Sequence, residues 1–295
     1  MEKLIETVML FYTPLLLGFL FEKYVKVSES FSKDLSKLVL YVLLPALLFD
    51  SIYTKSIGGS FGELVVLTVF AVFTVLFFLL ISRLLFKKSL ELSMTLFYGN
   101  AGYLPIAIAY TLWGADAISL IGFYIIGNNI LSNILIPVLS AGDIKRGLDR
   151  LKRFPPLYAV FLALVLALLK VEIPGLILKT VGSVGDLAPS LALLVLGLDI
   201  ASYGSFDKDG LKVYLVRQVF SPILPLLAFS LGMRGLPLYV LVLEAPMSPA
   251  ISNVILAQEY DIKPEKVSRV VLTSTTLTIL TTIPVLTLLF NTILK

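Results

Sequence analysis

The chain contains no cysteine and no histidine. Without cysteine there is no disulfide framework, no thiolate metal site and no thiol nucleophile. Without histidine, the commonest metal ligand and the usual general base near neutral pH are missing. No hydrolase motif takes up the remaining serine and carboxylate chemistry, so the sequence is not read as an enzyme. Charge is scarce as well. Asp, Glu, Lys and Arg make up 15% of the 295 residues, against about 25% in an ordinary soluble domain. What is abundant is apolar: 58% of the residues are hydrophobic. The composition is that of a multi-pass integral protein of the cell membrane, with the lipid bilayer as its surroundings. The opening stretch, MEKLIETVMLFYTPLLLGFLFEKY, has no small-residue cleavage site after its apolar core. It reads as a first span rather than as a removable signal peptide.

A helical span needs about 20 apolar residues. Breaking the chain at its polar and Gly/Pro punctuation gives ten of them: 4–22, 35–53, 62–86, 90–113, 115–140, 155–171, 175–203, 211–232, 236–259 and 264–293. The odd-numbered connections hold most of the 24 Lys and Arg. The first carries Lys23, Lys26, Lys33 and Lys37, and the fifth carries Lys145, Arg146, Arg150, Lys152 and Arg153. Lys208, Lys212 and Arg217 fall to the seventh, and Lys263, Lys266 and Arg269 to the ninth. The positive-inside rule then puts these connections in the cytoplasm and both termini on the non-cytoplasmic side. The net charge of +4 is thereby a statement about topology, not about nucleic acid. The fifth connection, GDIKRGLDRLKRFPP, reads either as a short amphipathic helix with Ile144, Leu148 and Leu151 on the lipid or as a solvated connector.

This basic linker, 141–154, separates five spans in 1–140 from five in 155–295. An odd number of spans per half means that a repeat must be inverted. Pro45 and Pro189 lie 144 residues apart, as do Pro105 and Pro249, and Asn100 and Glu244 share that offset. In the fourth and ninth spans the sequences YGNAGYLPIAI and LEAPMSPAISN place Gly, Pro, Asn and Glu where hydrocarbon penalises all of them. Paired interruptions in corresponding spans mark a transporter's binding site, because a helix broken in mid-membrane exposes unpaired N–H groups on one side and unpaired carbonyls on the other.

Substrate contacts are expected from Asn100, Tyr103, Pro105, Asn128, Asn129, Ser248, Pro249 and Asn253. Asn129 and Asn133 of the fifth span are four apart and share a helical face. Glu244 is the sharpest candidate, since an unpaired carboxylate deep in a span must be neutralised by a proton, a cation or a basic partner. No Lys or Arg falls at mid-span in this assignment. That leaves a Na⁺ or H⁺ site built from Glu244, Asn100, Asn129, Thr275 and Thr276, with no other cofactor. Tyr103 and Tyr110 are aromatic, but Tyr in a helix is more often packing and gives no grounds to infer an indole substrate.

The segments VLLPALLFDSI, YGNAGYLPIAIAYTLWG, GDLAPSLALLVLGLDI and EAPMSPAISNVILAQEYDIKPEKVSRVVLTSTTLTILTTIPVL resemble those of the auxin efflux carrier family, over essentially the whole chain and in the same order. That family includes the plant PIN carriers and bacterial permeases for malate or malonate. The resemblance implies ten transmembrane helices in two inverted five-helix repeats, an all-α fold like those of the bile-acid transporters and sodium/proton antiporters. Spans one, two, six and seven would form a scaffold, and spans three to five and eight to ten a mobile transport domain in which the fourth and ninth cross. The long cytoplasmic loop of the large plant carriers is missing, which aligns the chain with the short prokaryotic members. The expected activity is secondary transport of a small carboxylate by elevator-type alternating access, coupled to Na⁺ or H⁺. The alternatives are an uncoupled uniporter, a cation/proton antiporter of the same fold, or a ligand-gated channel or receptor. Apolar scaffold spans would also permit a homodimer.

Overall fold

A computed structural model describes residues 2–57, 61–87, 89–202 and 206–293. The architecture is all-helical, and among the described residues the one piece of extended pairing is an isolated antiparallel bridge between Gly99 and Pro249. Helix α1 spans Glu2–Val25, and α2 (Glu29–Leu38) runs through a π-helical stretch, Val39–Leu43, into α3 (Leu44–Ile57). After α4 (Phe61–Leu85) come the short α5 (Leu90–Phe97) and α6 (Tyr103–Trp113), then the long α7 (Ala115–Ala141) and the linker helix α8 (Ile144–Leu151). The second half follows with α9 (Pro155–Leu168), α10 (Gly175–Gly185), α11 (Leu187–Ser202), α12 (Lys208–Phe220) and α13 (Ile223–Ser230). It closes with α14 (Gly235–Glu244), α15 (Ser252–Glu259), α16 (Pro264–Leu277), a second π-helical stretch at Thr278–Thr282, and α17 (Ile283–Ile293).

Among the described residues, six helices are long and apolar enough to cross a membrane: Ser30–Thr54, Gly62–Leu85, Ala115–Ala141, Gly175–Ser202, Lys208–Ser230 and Pro264–Thr292. A seventh is added if α8 and α9, bent by 60°, count as one. These six coincide with the second, third, fifth, seventh, eighth and tenth expected spans. The first and sixth coincide with α1 and α9, while the fourth and ninth are interrupted at Tyr98–Gly102 and Ala245–Ile251.

Proline sets several of these features. Both π-helical stretches end two residues before a proline, Pro45 and Pro284. A wider turn relieves the clash of the ring with the preceding turn, but the missing N–H still leaves one carbonyl unpaired. In the second stretch the Ile283 N–H reaches back five residues to Thr278 O, so Pro284 would be due to serve Ile279. The Tyr12 hydroxyl donates to that Ile279 carbonyl instead, at 2.6 Å. Pro105 kinks nothing. It occupies the first turn of α6, where its N–H would lack a helical partner in any case.

Helices α1 and α11 cross with backbone against backbone. A Cβ on Gly18 would stand 2.0 Å from the Leu194 carbonyl oxygen, and one on Gly197 would stand 2.0 Å from that of Leu15. Small residues at such a crossing permit the close approach that holds membrane helices together. The contact between α1–α3 and α9–α11 on one hand, and α4–α7 and α12–α17 on the other, is of a different kind. Among the described residues its hydrogen bonds come from three tyrosine hydroxyls: Tyr12 to Ile279 O, Tyr103 to Ser36 O at 3.3 Å and Tyr110 to Asp186 Oδ1 at 2.8 Å.

Charged residues from the third, fifth, seventh and ninth connections gather at one end of the bundle. Lys263 pairs with Glu91 at the start of α5, Arg150 of α8 pairs with Glu259 at the end of α15, and Lys266 and Arg269 of α16 pair with Asp207 at the start of α12. The linker is helical, capped by the Asp143 carboxylate on Arg146 N. Ile144 and Leu148 are exposed, while Leu151 is half-buried.

Candidate functional site: the crossing of two broken helices

The two interruptions meet. Asn100 N–H donates to Ser248 O at 2.7 Å and Ala250 N–H donates to Tyr98 O at 3.0 Å, on either side of the Gly99–Pro249 pair. A two-fold rotation exchanges these two bonds only if Gly99 corresponds to Pro249, an offset of 150 residues. The offset of 144 read from the prolines therefore does not hold at the crossing. Asn100 is the counterpart of Ala250 there, not of Glu244. The discrepancy arises because Pro249 sits in the crossing pair itself, whereas Pro105 lies six residues past Gly99, in the first turn of α6.

Side chains then stitch the breaks. Asn128 of α7 donates from Nδ2 to Gly99 O at 3.0 Å. Asn253 of α15 donates to Tyr98 O at 2.9 Å and to Ala250 O at 2.8 Å. The Asn100 side chain folds back, its Oδ1 accepting from Gly102 N at 3.2 Å. Of the residues singled out from the sequence, Asn100, Asn128, Ser248, Pro249 and Asn253 thus come together, with Glu244 ending the helix that leads into the second break. Asn129 reaches the first break only through the Tyr98 hydroxyl, and the rest lie apart. Tyr103 turns its hydroxyl to Ser36, and Asn129 Oδ1 accepts from the Tyr98 hydroxyl at 2.7 Å. Thr275 is buried and Thr276 half-buried in α16, and no hydrogen bond links either to the crossing.

One assignment is overturned. Arg217 is no cytoplasmic loop residue: it stands within α12 at 2% exposure. Its guanidinium donates from Nε to Ala245 O at 2.9 Å and from Nη1 to Leu96 O. These carbonyls belong to the carboxyl ends of α14 and α5, so one cation caps both incoming half-helices. The neighbouring Gln218 donates to Pro246 O at 2.9 Å. Phe78 lies 4.2 Å below the guanidinium, a cation–π contact. Gly99 lies against it so closely that a Cβ there would come 2.4 Å from Nη2, and a side chain at this position would have to push the guanidinium aside. The signal was present in the sequence, since Arg217 sits seven residues into the 211–232 span. Counting charge by connection hid it.

Glu244 is 1% exposed, and among the described residues neither carboxyl oxygen has a hydrogen-bond partner. Arg217 and Tyr124 of α7 face it electrostatically, but Arg217 stays outside the 4.0 Å of an ion pair. An ionised carboxylate without hydrogen bonds in such surroundings costs several kcal/mol, and a neutral acid about 1–3 kcal/mol. Among the described residues, other polar atoms at the crossing also lack a protein partner: Asn100 Nδ2, Ser248 Oγ and Asn253 Oδ1. Buried polar groups are usually paired, and a cluster that is not marks a place where something else binds.

Comparison with known proteins supplies the family. The family model described as membrane transport protein matches residues 3–147 and 144–286. The chain belongs to that family, the auxin efflux carriers. Among similar family members, an uncharacterized transporter of Methanothermobacter thermautotrophicus is 27% identical over 289 residues, covering 93% of this chain and 94% of its own. An uncharacterized transporter of Methanocaldococcus jannaschii is 22% identical over 296 residues, covering 93% and 95%. Membership makes this a multi-pass membrane transport protein.

Proposed function

We propose that this family member is a secondary transporter of a small organic anion, working by elevator-type alternating access. The observation that carries the reading is the distribution of charge at the crossing. The two negative ends, those of α5 and α14, are already capped by Arg217. The two positive ends, those of α6 and α15, face the break together with the unpartnered Asn100 Nδ2 and Ser248 Oγ. A helix amino end carries about half a positive charge and free N–H donors, so a pair of them suits a carboxylate. Asn100 and Ser248 are the side chains assigned to hold it, with Asn128 and Asn253 fixing the backbone around it.

Ten spans in two inverted repeats, both termini outside, complete the reading. In it α1–α3 and α9–α11 are the scaffold, and α4–α7 with α12–α17 are the moving body. Among the described residues the interface is held by three tyrosine hydroxyls over apolar side chains, which supports sliding, because few of these bonds must be exchanged between positions. Glu244 is the coupling group, taking H⁺.

The test is uptake into proteoliposomes of labelled malate, malonate and indole-3-acetate, with thermal shifts of the purified protein against the same carboxylates. Saturable uptake of one of them, accompanied by a rise in Tm, is expected. Conductance at rates far above carrier turnover would replace the carrier with a channel. Uptake that ignores both ion gradients and follows membrane potential would make it a uniporter.

A further inference from the structure

We propose that Arg217 is the built-in counter-ion of the crossing, a covalently fixed cation that makes an alkali-metal ion unnecessary there. This inference rests on the same site as the transport reading but is decided without measuring transport.

The argument starts from the carboxyl ends of α5 and α14. Each brings about half a negative charge and carbonyls that no helical N–H can serve. Two such ends meeting in an apolar bundle make an electronegative pocket of backbone oxygens, the kind of site that collects a Na⁺ ion in transporters with broken helices. In this protein the pocket already holds a cation. The guanidinium reaches Ala245 O and Leu96 O, one carbonyl from each half-helix, and lies between the Phe78 ring and the Gly99 backbone. One positive charge against two half-charges leaves the carboxyl ends neutral. No other cation need enter before the anion does.

The sequence supports the same reading. Arg217 is buried at 2% exposure beside Gly210 and Val213 of the same helix, a placement expensive enough to require a purpose. Gly99, whose lack of a side chain admits the guanidinium, is the residue of the first break that pairs with Pro249. Arginine also keeps its proton under all working conditions, so this counter-ion cannot be lost. A metal ion in the same place would have to bind and leave.

The experiment is thermal unfolding of the purified full-length protein in detergent, titrated with NaCl and with choline chloride at equal ionic strength. Wild type is expected to show the same Tm in both salts. A Na⁺-specific rise on the order of 5 °C, the size produced by an ion well above its Kd, would overturn the proposal. Arg217→Met supplies the converse. Its Tm is expected to fall by several degrees in choline and to recover in part in NaCl, since the exposed carbonyls now accept Na⁺; a Tm equally low in both salts contradicts the proposal. Arg217→Lys keeps the charge and is expected to stay indifferent to Na⁺. Should Arg217→Met not fold, wild type and Arg217→Lys decide: indifference in both sustains the counter-ion, and Na⁺-specific stabilisation of either sinks it. Because no arm reads flux, a failure of the carrier hypothesis would leave these outcomes intact.

Discussion

The two interruptions of this protein are built alike in backbone and unlike in side chains. Around the first, Tyr98–Gly102, nearly every polar group has a partner: Asn128 holds Gly99 O, Tyr98 O accepts two bonds, and the Tyr98 hydroxyl is joined to Asn129 and Asn133. Around the second, Ala245–Ile251, the backbone carbonyls are taken by Arg217 and Gln218. There both Glu244 oxygens, Ser248 Oγ and Asn253 Oδ1 stay unpartnered. The difference teaches that two breaks paired alike in backbone need not be alike in side-chain bonding. The first break is the better-bonded framework, and the unpartnered polar side chains gather at the second and at Asn100 Nδ2.

That contrast is open to attack by mutation. The largest effect is expected from Arg217→Met, which strips two buried carbonyls of a charged donor. A stability loss on the order of 3 kcal/mol follows, seen as a clear fall in Tm. A loss under about 1 kcal/mol would mean that the breaks hold themselves together. Next come the two amides. Asn128→Ala should cost about 1–2 kcal/mol yet leave the carboxylate-induced shift in Tm unchanged. Asn100→Asp keeps Oδ1 for Gly102 N but exchanges the free donor for an acceptor. It should weaken carboxylate binding at least about tenfold, or roughly 1.4 kcal/mol, measured by ligand titration of Tm. Equal ligand effects from the two variants would erase the division between bonded framework and unpartnered amide.

Tyr12→Phe sharpens the comparison from outside the crossing. The carbonyl orphaned by Pro284 loses its donor, for about 1 kcal/mol, and exchange between the two helix sets should quicken, as read by cross-linking rates. The smallest effect belongs to the charged end of the bundle. Burial pushes the Asp207 carboxyl up, but hydrogen bonds from Lys266 and from the backbone of Asp209 and Gly210 outweigh it and hold the group below its usual value. A depressed carboxylate stabilises the fold above the unfolded value of 3.8 and loses that contribution as pH falls through the folded one. Wild type should therefore exceed Asp207→Asn in Tm at pH 6, the gap closing below about pH 4.

Much of the fold was legible in the residues. The apolar runs located the helices, the Gly/Pro/Asn clusters located both breaks, and the side chains named from them included Asn100, Asn128, Ser248 and Asn253, which do meet. Arg217 was not legible by counting charge per connection, because the same residue type that marks a cytoplasmic loop also serves as a buried cap. The register of the crossing was misread for a related reason. Proline spacing records where helices can bend, whereas backbone hydrogen bonds record where they touch.

Composition and hydropathy alone determined that this chain lives in a membrane and interrupts two of its helices, because the cost of polar backbone in hydrocarbon acts on every residue locally. Only the tertiary structure decided that the interruptions pair at Gly99 and Pro249, that Arg217 serves both carboxyl ends, and that Glu244 is left unpartnered. Those outcomes depend on which helix ends share a few cubic ångströms, and contacts between residues more than a hundred positions apart leave no mark on local sequence.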